Sequence, residues 1–240
     1  MDTTVYNVKR KIYPDGTEQF TYYEKPKMVG YEAGERKKTG LHVDRKEIEN
    51  ACRAVRKVYD LARSNKFDWF VTMTFDMKEV DRLDYDSCAD SLKRFTDILR
   101  HSGNAWVIIP EQHKDGAYHF HGLVSGALPV TAARSPKTGR LLKDRKGNQI
   151  FNVDNFRYGH TTATKIGDCV RAATYLTKYL TKEISVPKGR KRYWASRGLN
   201  KPSEELLQMT SEEYGEIFNN ARYQKVIETL SWGSFLMCET

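Results

Sequence analysis

The 240-residue sequence predicts an α+β fold, an antiparallel central sheet with helices packed on it, and three observations carry that prediction. Short stretches rich in β-branched and aromatic residues, such as Trp69 to Phe75 and Ala117 to Val124, suit half-buried strands. Longer stretches between them place apolar residues at helical spacing. Turn-forming runs such as Pro14-Asp15-Gly16-Thr17 and Lys114-Asp115-Gly116 join neighbouring strand stretches closely enough for hairpins, and so for antiparallel pairing.

In order, Val5 to Lys11 and Glu18 to Tyr23 read as an accessory hairpin about the Pro-Asp-Gly-Thr turn. Asp44 to Ser64 reads as a helix with Asp44 as N-cap and Ile48, Ala51, Cys52, Val55, Val58, Tyr59 and Ala62 on its apolar face. Trp69 to Phe75 is the first core strand, with Thr72 and Thr74 alternating to the opposite face from its apolar positions. Asp86 to His101 is a second helix, with Leu92, Phe95, Ile98 and Leu99 on one face and Gly103 just past its end. Ala105 to Ile109 and Ala117 to Val124 make a strand pair. Residues 130–150 break the pattern as an exposed basic loop or hairpin, Tyr158 to Ile166 resumes it as a strand, and Cys169 to Glu183 is a helix. A basic run, Lys188 to Arg192, precedes acidic, helical-looking sequence from Pro202 to Leu230. These shifts divide the chain into a hairpin extension (1–43), a central domain (44–185) with a basic insertion at about 130–150, and a basic and helical extension (186–240).

Composition narrows the function. With 39% hydrophobic residues the chain can bury one good core with appendages. A net charge of +9 and a pI of about 9.2 predict an anionic partner, nucleic acid before others. Cys52, Cys88, Cys169 and Cys238 show no CxxC pair and no zinc-type cluster, and read as thiols in a reducing compartment. No signal peptide and no apolar run of roughly 20 residues occurs, so a cytoplasmic protein without a membrane partner is expected.

The chemistry concentrates at two places. On a strand, His119 and His121 point the same way while Phe120 turns into the core, so one metal ion could take both imidazoles. Glu111 lies before the Lys-Asp-Gly turn, and a hairpin would bring its carboxylate beside the pair, completing a nitrogen and oxygen ligand set suited to Mn²⁺ or Mg²⁺. His113 falls in the approach to the turn and reads as a DNA or phosphate contact; His42, His101 and His160 read as structural. Tyr175 and Tyr179 would share a helix face about 6 Å apart along the axis. Lys178 and Lys182 beside them suit a face turned to phosphate, and Lys178 is the candidate for favouring a phenolate. Arg134, Lys137 and Arg140, then Lys143, Arg145 and Lys146, make the insertion a candidate DNA grip. Lys188, Arg190, Lys191 and Arg192 are a second such run.

Phe70 to Phe75, the His119-Phe120-His121 segment with Glu111 upstream, and the paired tyrosines of Tyr175 to Tyr179 together resemble the three motifs of the HUH endonuclease superfamily. Having the tyrosines after the histidines resembles its replication-initiator (Rep) branch of phages, plasmids and single-stranded DNA viruses, since relaxases reverse that order. The resemblance covers roughly residues 67–183, with a looser likeness at Ser196 to Pro202. It implies a ferredoxin-like or RNA-recognition-like sheet and a site-specific DNA endonuclease and strand transferase. A tyrosine would attack an origin in single-stranded DNA, with a divalent metal on Glu111, His119 and His121, leaving a 5′-phosphotyrosine and a 3′-hydroxyl that primes rolling-circle replication. Tyr175-Leu176-Thr177-Lys178 matches the Tyr-x-x-Lys spacing of single-tyrosine relatives, which favours Tyr175 as the initiating nucleophile, with Tyr179 alternating. No GxxxxGK[ST] segment occurs, so a host helicase as well as a host polymerase is expected to take part. Two alternatives stand beside this reading: an HUH transposase-like strand transferase, and a noncatalytic module that binds single-stranded nucleic acid.

Overall fold

The computed structural model describes residues 3–30, 43–181, 186–229 and 233–240. The chain divides into two compact units, residues 43–200 and a unit built from both ends, residues 1–42 and 201–240. At the start of the terminal unit, β1 (Thr4–Ile12) and β2 (Glu18–Val29) form the expected hairpin, with β2 running six residues past its predicted end. Its turn closes through Gly16 N donating to Tyr13 O at 3.0 Å.

The central unit begins with α1 (Val43–Arg63), which buries Ala54, Val58, Leu61 and Ala62 and leaves Cys52 exposed. Next come β3 (Trp69–Phe75) and α2 (Tyr85–His101). The carboxylate of Asp84 caps α2 by accepting from Ser87 N at 2.8 Å, which places the cap two residues before the helix start expected from apolar spacing alone. Leu92, Phe95 and Leu99 of α2 are fully buried, whereas Ile98, expected beside them, is exposed. Strands β4 (Trp106–Gln112) and β5 (Tyr118–Val124) form a hairpin in which His113 N donates to Ala117 O and Gly116 takes a φ of 86°, a conformation open to glycine without strain. Short strands β6 (Val130–Ala132) and β7 (Phe151–Val153) flank the basic insertion, and β8 (Gly159–Lys165), α3 (Cys169–Thr181) and β9 (Trp194–Ala195) complete the unit. These strands make one antiparallel sheet in the order β6-β7-β8-β3-β5-β4-β9.

Strand alternation splits the sheet's side chains between two cores. Val71, Met73, Phe120 and Ile108 pack with α2 on one face; Val107, Ile109 and Leu123 pack with α1 and α3 on the other. The tight closure of β8 on β3 depends on one residue. Gly159 has a φ of 145°, and a Cβ there would meet Thr74 O at 2.3 Å and Asp76 N at 2.6 Å. Gly159→Ala is expected to cost about 2–4 kcal/mol through backbone strain and forced separation of the strands. Chemical denaturation measures it against Gly167→Ala, where an added Cβ meets nothing within 4 Å.

The C-terminal sequence departs from its helical reading. Among the described residues of that stretch, only α4 (Ser211–Asn220) is helical, held by a capping box between Thr210 and Glu213. Ser203–Leu207 is a strand, β10, paired to β1, and β11 (Tyr223–Thr229) pairs with β12 (Gly233–Glu239), which pairs with β2. Unpaired strand edges of the N-terminal hairpin offer Ser203–Leu207 a full hydrogen-bonding ladder, which outweighs a helical propensity of roughly tenths of a kcal/mol per residue. The two expected extensions thus share one five-stranded sheet, β10-β1-β2-β12-β11, around Val8, Phe20, Tyr214 and Cys238. Residues 186–200, drawn with the C-terminal extension from sequence, instead belong to the central unit through β9.

Candidate active site

The β4-β5 register sets Glu111 directly opposite His119 and Ile109 opposite His121, on the face covered by α1 and α3. Glu111 Oε2 lies 2.7 Å from His121 Nε2, and both residues are buried. The two remaining imidazole nitrogens meet β3: Thr72 Oγ1 is 3.1 Å from His121 Nδ1, and Thr74 Oγ1 is 3.1 Å from His119 Nδ1. Each threonine therefore fixes a ring's orientation and leaves its Nε2 for another partner, the arrangement by which outer hydrogen bonds orient metal-binding histidines. Sequence alternation turned Thr72 and Thr74 toward this face; the cross-strand register, which only pairing sets, gave each its histidine.

His113 closes the other side of the cluster. Its Nε2 is 3.6 Å from Glu111 Oε2, and its ring stacks on His119 with centroids 3.8 Å apart at 8°. Burial, reinforced by His113 and His121, pushes His119 down to about 4, so this imidazole is neutral at physiological pH and offers a lone pair. Among the described residues no three His, Cys, Asp or Glu side chains stand so that they would hold an ion as placed. The donor chemistry of the group nevertheless suits a hard divalent ion: one carboxylate and two imidazoles presented through Nε2, each imidazole anchored from behind.

Helix α3 brings both tyrosines to this cluster. The Tyr179 ring stacks on His121, centroids 3.9 Å apart at 12°, and its hydroxyl donates to the Tyr175 hydroxyl at 2.6 Å. Phe70 of β3 supports the Tyr175 ring at 5.3 Å. Burial and the bond to Tyr175 raise the Tyr179 hydroxyl well above the ordinary phenol range, so Tyr179 holds its proton while Tyr175, 48% exposed, receives a hydrogen bond. Lys178 is exposed on the same helix. Lys182 lies outside the described residues, as does His42.

Beyond the histidines the same sheet face is open and polar. The β3-β8 register sets Thr162 beside Thr72 and His160 beside Thr74, and the exposed Asn152 and Thr131 continue the row across β7 and β6. His160, expected from sequence to be structural, takes its place in this row through a strand register no local signal encodes. All six insertion cations are exposed or partly so. In the second basic run Lys188 is exposed and Arg192 lines a small cleft with Tyr179, Pro110 and Val186, whereas Arg190 pairs with Asp86 at 2.5 Å and Lys191 O accepts from Tyr85.

All the residues of the cluster fall inside a stretch that resembles known proteins. Residues 68–184 match the family model of the replication-associated protein ORF2. No curated protein and no solved structure matches the chain. Among the described residues no helix is long and apolar enough to cross a membrane.

Proposed function

We propose that this chain is a replication initiator that nicks single-stranded DNA at an origin by tyrosine attack and later rejoins ends. The observation that carries the reading is the stack of Tyr179 on His121, with the Tyr175 hydroxyl 2.6 Å further on. Residues far apart in sequence set a nucleophile against a donor cluster suited to a phosphate-bound cation. The match to a replication-associated family supports the same reading.

Glu111, His119 and His121 would hold a divalent ion, Mn²⁺ or Mg²⁺, which when bound draws charge from a nonbridging phosphate oxygen. Tyr175 attacks phosphorus: its oxygen forms the new P–O bond, and the 3′-oxygen of the preceding nucleotide leaves and takes up a proton. The Tyr179 hydroxyl, donating to the Tyr175 oxygen, favours the phenolate that an isolated tyrosine with a pKa of about 10 would form poorly. The bond energy stays in the 5′-phosphotyrosine, so the freed 3′-hydroxyl can prime a host polymerase or reverse the reaction. With its hydroxyl already beside Tyr175, Tyr179 is available for a second transfer. His113, Lys178 and the cations of 134–146 and 188–192 contact phosphate, and a host helicase unwinds the template.

Thr72 and Thr74 act through the histidines as positioning residues. Thr72→Val and Thr74→Val are each expected to lower Mn²⁺ affinity and cleavage about 10–100-fold while leaving single-strand binding unchanged. Calorimetric metal titration, read beside cleavage, separates this from a general loss of fold. The reaction itself is tested with single-stranded oligonucleotides from the encoding element, with Mn²⁺ or with chelator. A metal-dependent covalent adduct, mapped to Tyr175 or Tyr179 by mass spectrometry, is expected. Binding with no adduct on origin-containing strands would leave a noncatalytic single-strand-binding protein instead.

A further inference from the structure

Between β6 and β7 the chain leaves the sheet as an ordered arm. Residues 133–134, 141–143 and 149–150 run side by side: Leu142 N donates to Ala133 O at 2.8 Å, Ile150 N to Leu142 O at 3.0 Å, and Ala133 N to Ile150 O at 2.9 Å. Two tight turns join them, each with a glycine at positive φ, Gly139 at 67° and Gly147 at 85°. The first turn is braced by Arg134 Nη1 donating to Gly139 O at 2.9 Å. The arm's one acid, Asp144, is consumed in its own turn, accepting from the backbone of Lys146 and Asn148 and from the Asn148 side chain at 2.8–2.9 Å.

The surface of this ribbon combines charge with apolar area. Arg134, Lys137, Arg140, Lys143, Arg145 and Lys146 lie along it, and none forms a salt bridge among the described residues. Leu141 and Leu142, in the middle segment, are 46% and 39% exposed. The charge is not shared evenly by the protein: residues 43–200 hold 29 lysines and arginines against 18 aspartates and glutamates, whereas residues 1–42 and 201–240 hold 11 against 13. The polyanion-binding surface is therefore that of the central unit, and the arm is its densest part.

We infer that this arm is a second DNA site, which grips duplex DNA by entering the major groove beside the strand held at the tyrosines. A β-ribbon has the width that the major groove of B-form DNA admits. Cations at both turns meet the phosphates on the groove walls, and a leucine turned to the floor packs on thymine methyl groups, the apolar feature the groove displays. Because internal hydrogen bonds already order the ribbon, little conformational freedom is lost on docking. From β7 to β5 is about 15 Å at the usual strand spacing. A duplex on the arm is thus close enough for one strand to cross the polar row of Thr131, Asn152, Thr162 and Thr72 to the site.

The inference rests on the nickase reading for its biological sense but is tested apart from it. The probe is a duplex of about 24 bp of alternating dA·dT pairs, long enough for two turns of major groove, beside the same duplex with deoxyuridine for thymidine, followed by fluorescence anisotropy over a range of salt. Lys137→Ala/Arg140→Ala/Lys143→Ala/Arg145→Ala is expected to weaken duplex binding at least tenfold and flatten the slope of log affinity against log salt by about 3. Leu141→Ser/Leu142→Ser is expected to abolish the preference for the thymine duplex over the uracil duplex. Both variants should keep the covalent adduct on a single-stranded oligonucleotide, which reports the tyrosine chemistry and the fold together. Wild-type duplex affinity and salt slope in the first variant would overturn the inference, as would a loss confined to single-stranded DNA. Loss of the adduct in the wild type alone would count against the nickase reading and leave the duplex site standing.

Discussion

With Tyr175→Phe and Tyr179→Phe together, no covalent adduct forms on single-stranded DNA, while binding of the same strand is unchanged. Removing two hydroxyls takes away the paired phenol oxygens at the histidine cluster and leaves the rings, and so the packing, in place. The single variants differ. Tyr175→Phe loses the exposed hydroxyl that accepts the 2.6 Å bond, and cleavage is expected to fall about a thousandfold or more. Tyr179→Phe keeps Tyr175 but removes the hydrogen bond to its oxygen, costing the first cleavage about 10–100-fold. It also stops the second transfer. Denaturing gels and mass spectrometry of the adduct read all three. Equal first-cleavage rates for Tyr175→Phe and wild type would assign initiation to Tyr179.

Glu111→Ala and His121→Ala are the second pair with a large effect. Each is expected to remove metal-dependent cleavage by about a thousandfold, by deleting a donor from the cluster. They also carry a structural cost, because Glu111 and His121 are buried against each other at 2.7 Å. Truncating one leaves the other without its partner, a loss of about 3–5 kcal/mol where the survivor stays charged. Glu111→Gln separates the two effects: the amide can still hydrogen-bond His121, so stability should be largely retained while cleavage and Mn²⁺ affinity are lost. Retained cleavage in Glu111→Gln with Mn²⁺ present would remove the carboxylate from the proposed ligand set. Thermal melting beside a cleavage assay resolves these outcomes.

Much of the core is legible in the sequence because periodicity is local. Val71, Met73 and Phe75 alternate with Thr72 and Thr74, and the strand they make buries the first set. The Lys114-Asp115-Gly116 turn reads as a hairpin, and that hairpin sets Glu111 opposite His119. Helix faces are less exact, since Cys52 and Ile98 sit at the margins of their apolar stripes and end exposed. The Pro202 to Leu230 stretch defeats a local reading because its glutamates and leucines favour helix, while the ladder that makes β10 a strand is supplied by β1 at the other end of the chain.

The sequence by itself determined the α+β class, the histidine and tyrosine motifs, their spacing along the chain and the surplus of positive charge. Those follow from residue types and from strand and helix periodicity, which need no partner. The tertiary structure decided which atoms meet: Thr72 and Thr74 behind the two imidazoles, His113 on His119, and Tyr179 rather than Tyr175 against His121. It also joined the two ends of the chain into one sheet. Strand register and the docking of α3 arise from contacts between segments far apart in sequence, and no local pattern encodes which distant neighbour a side chain will touch.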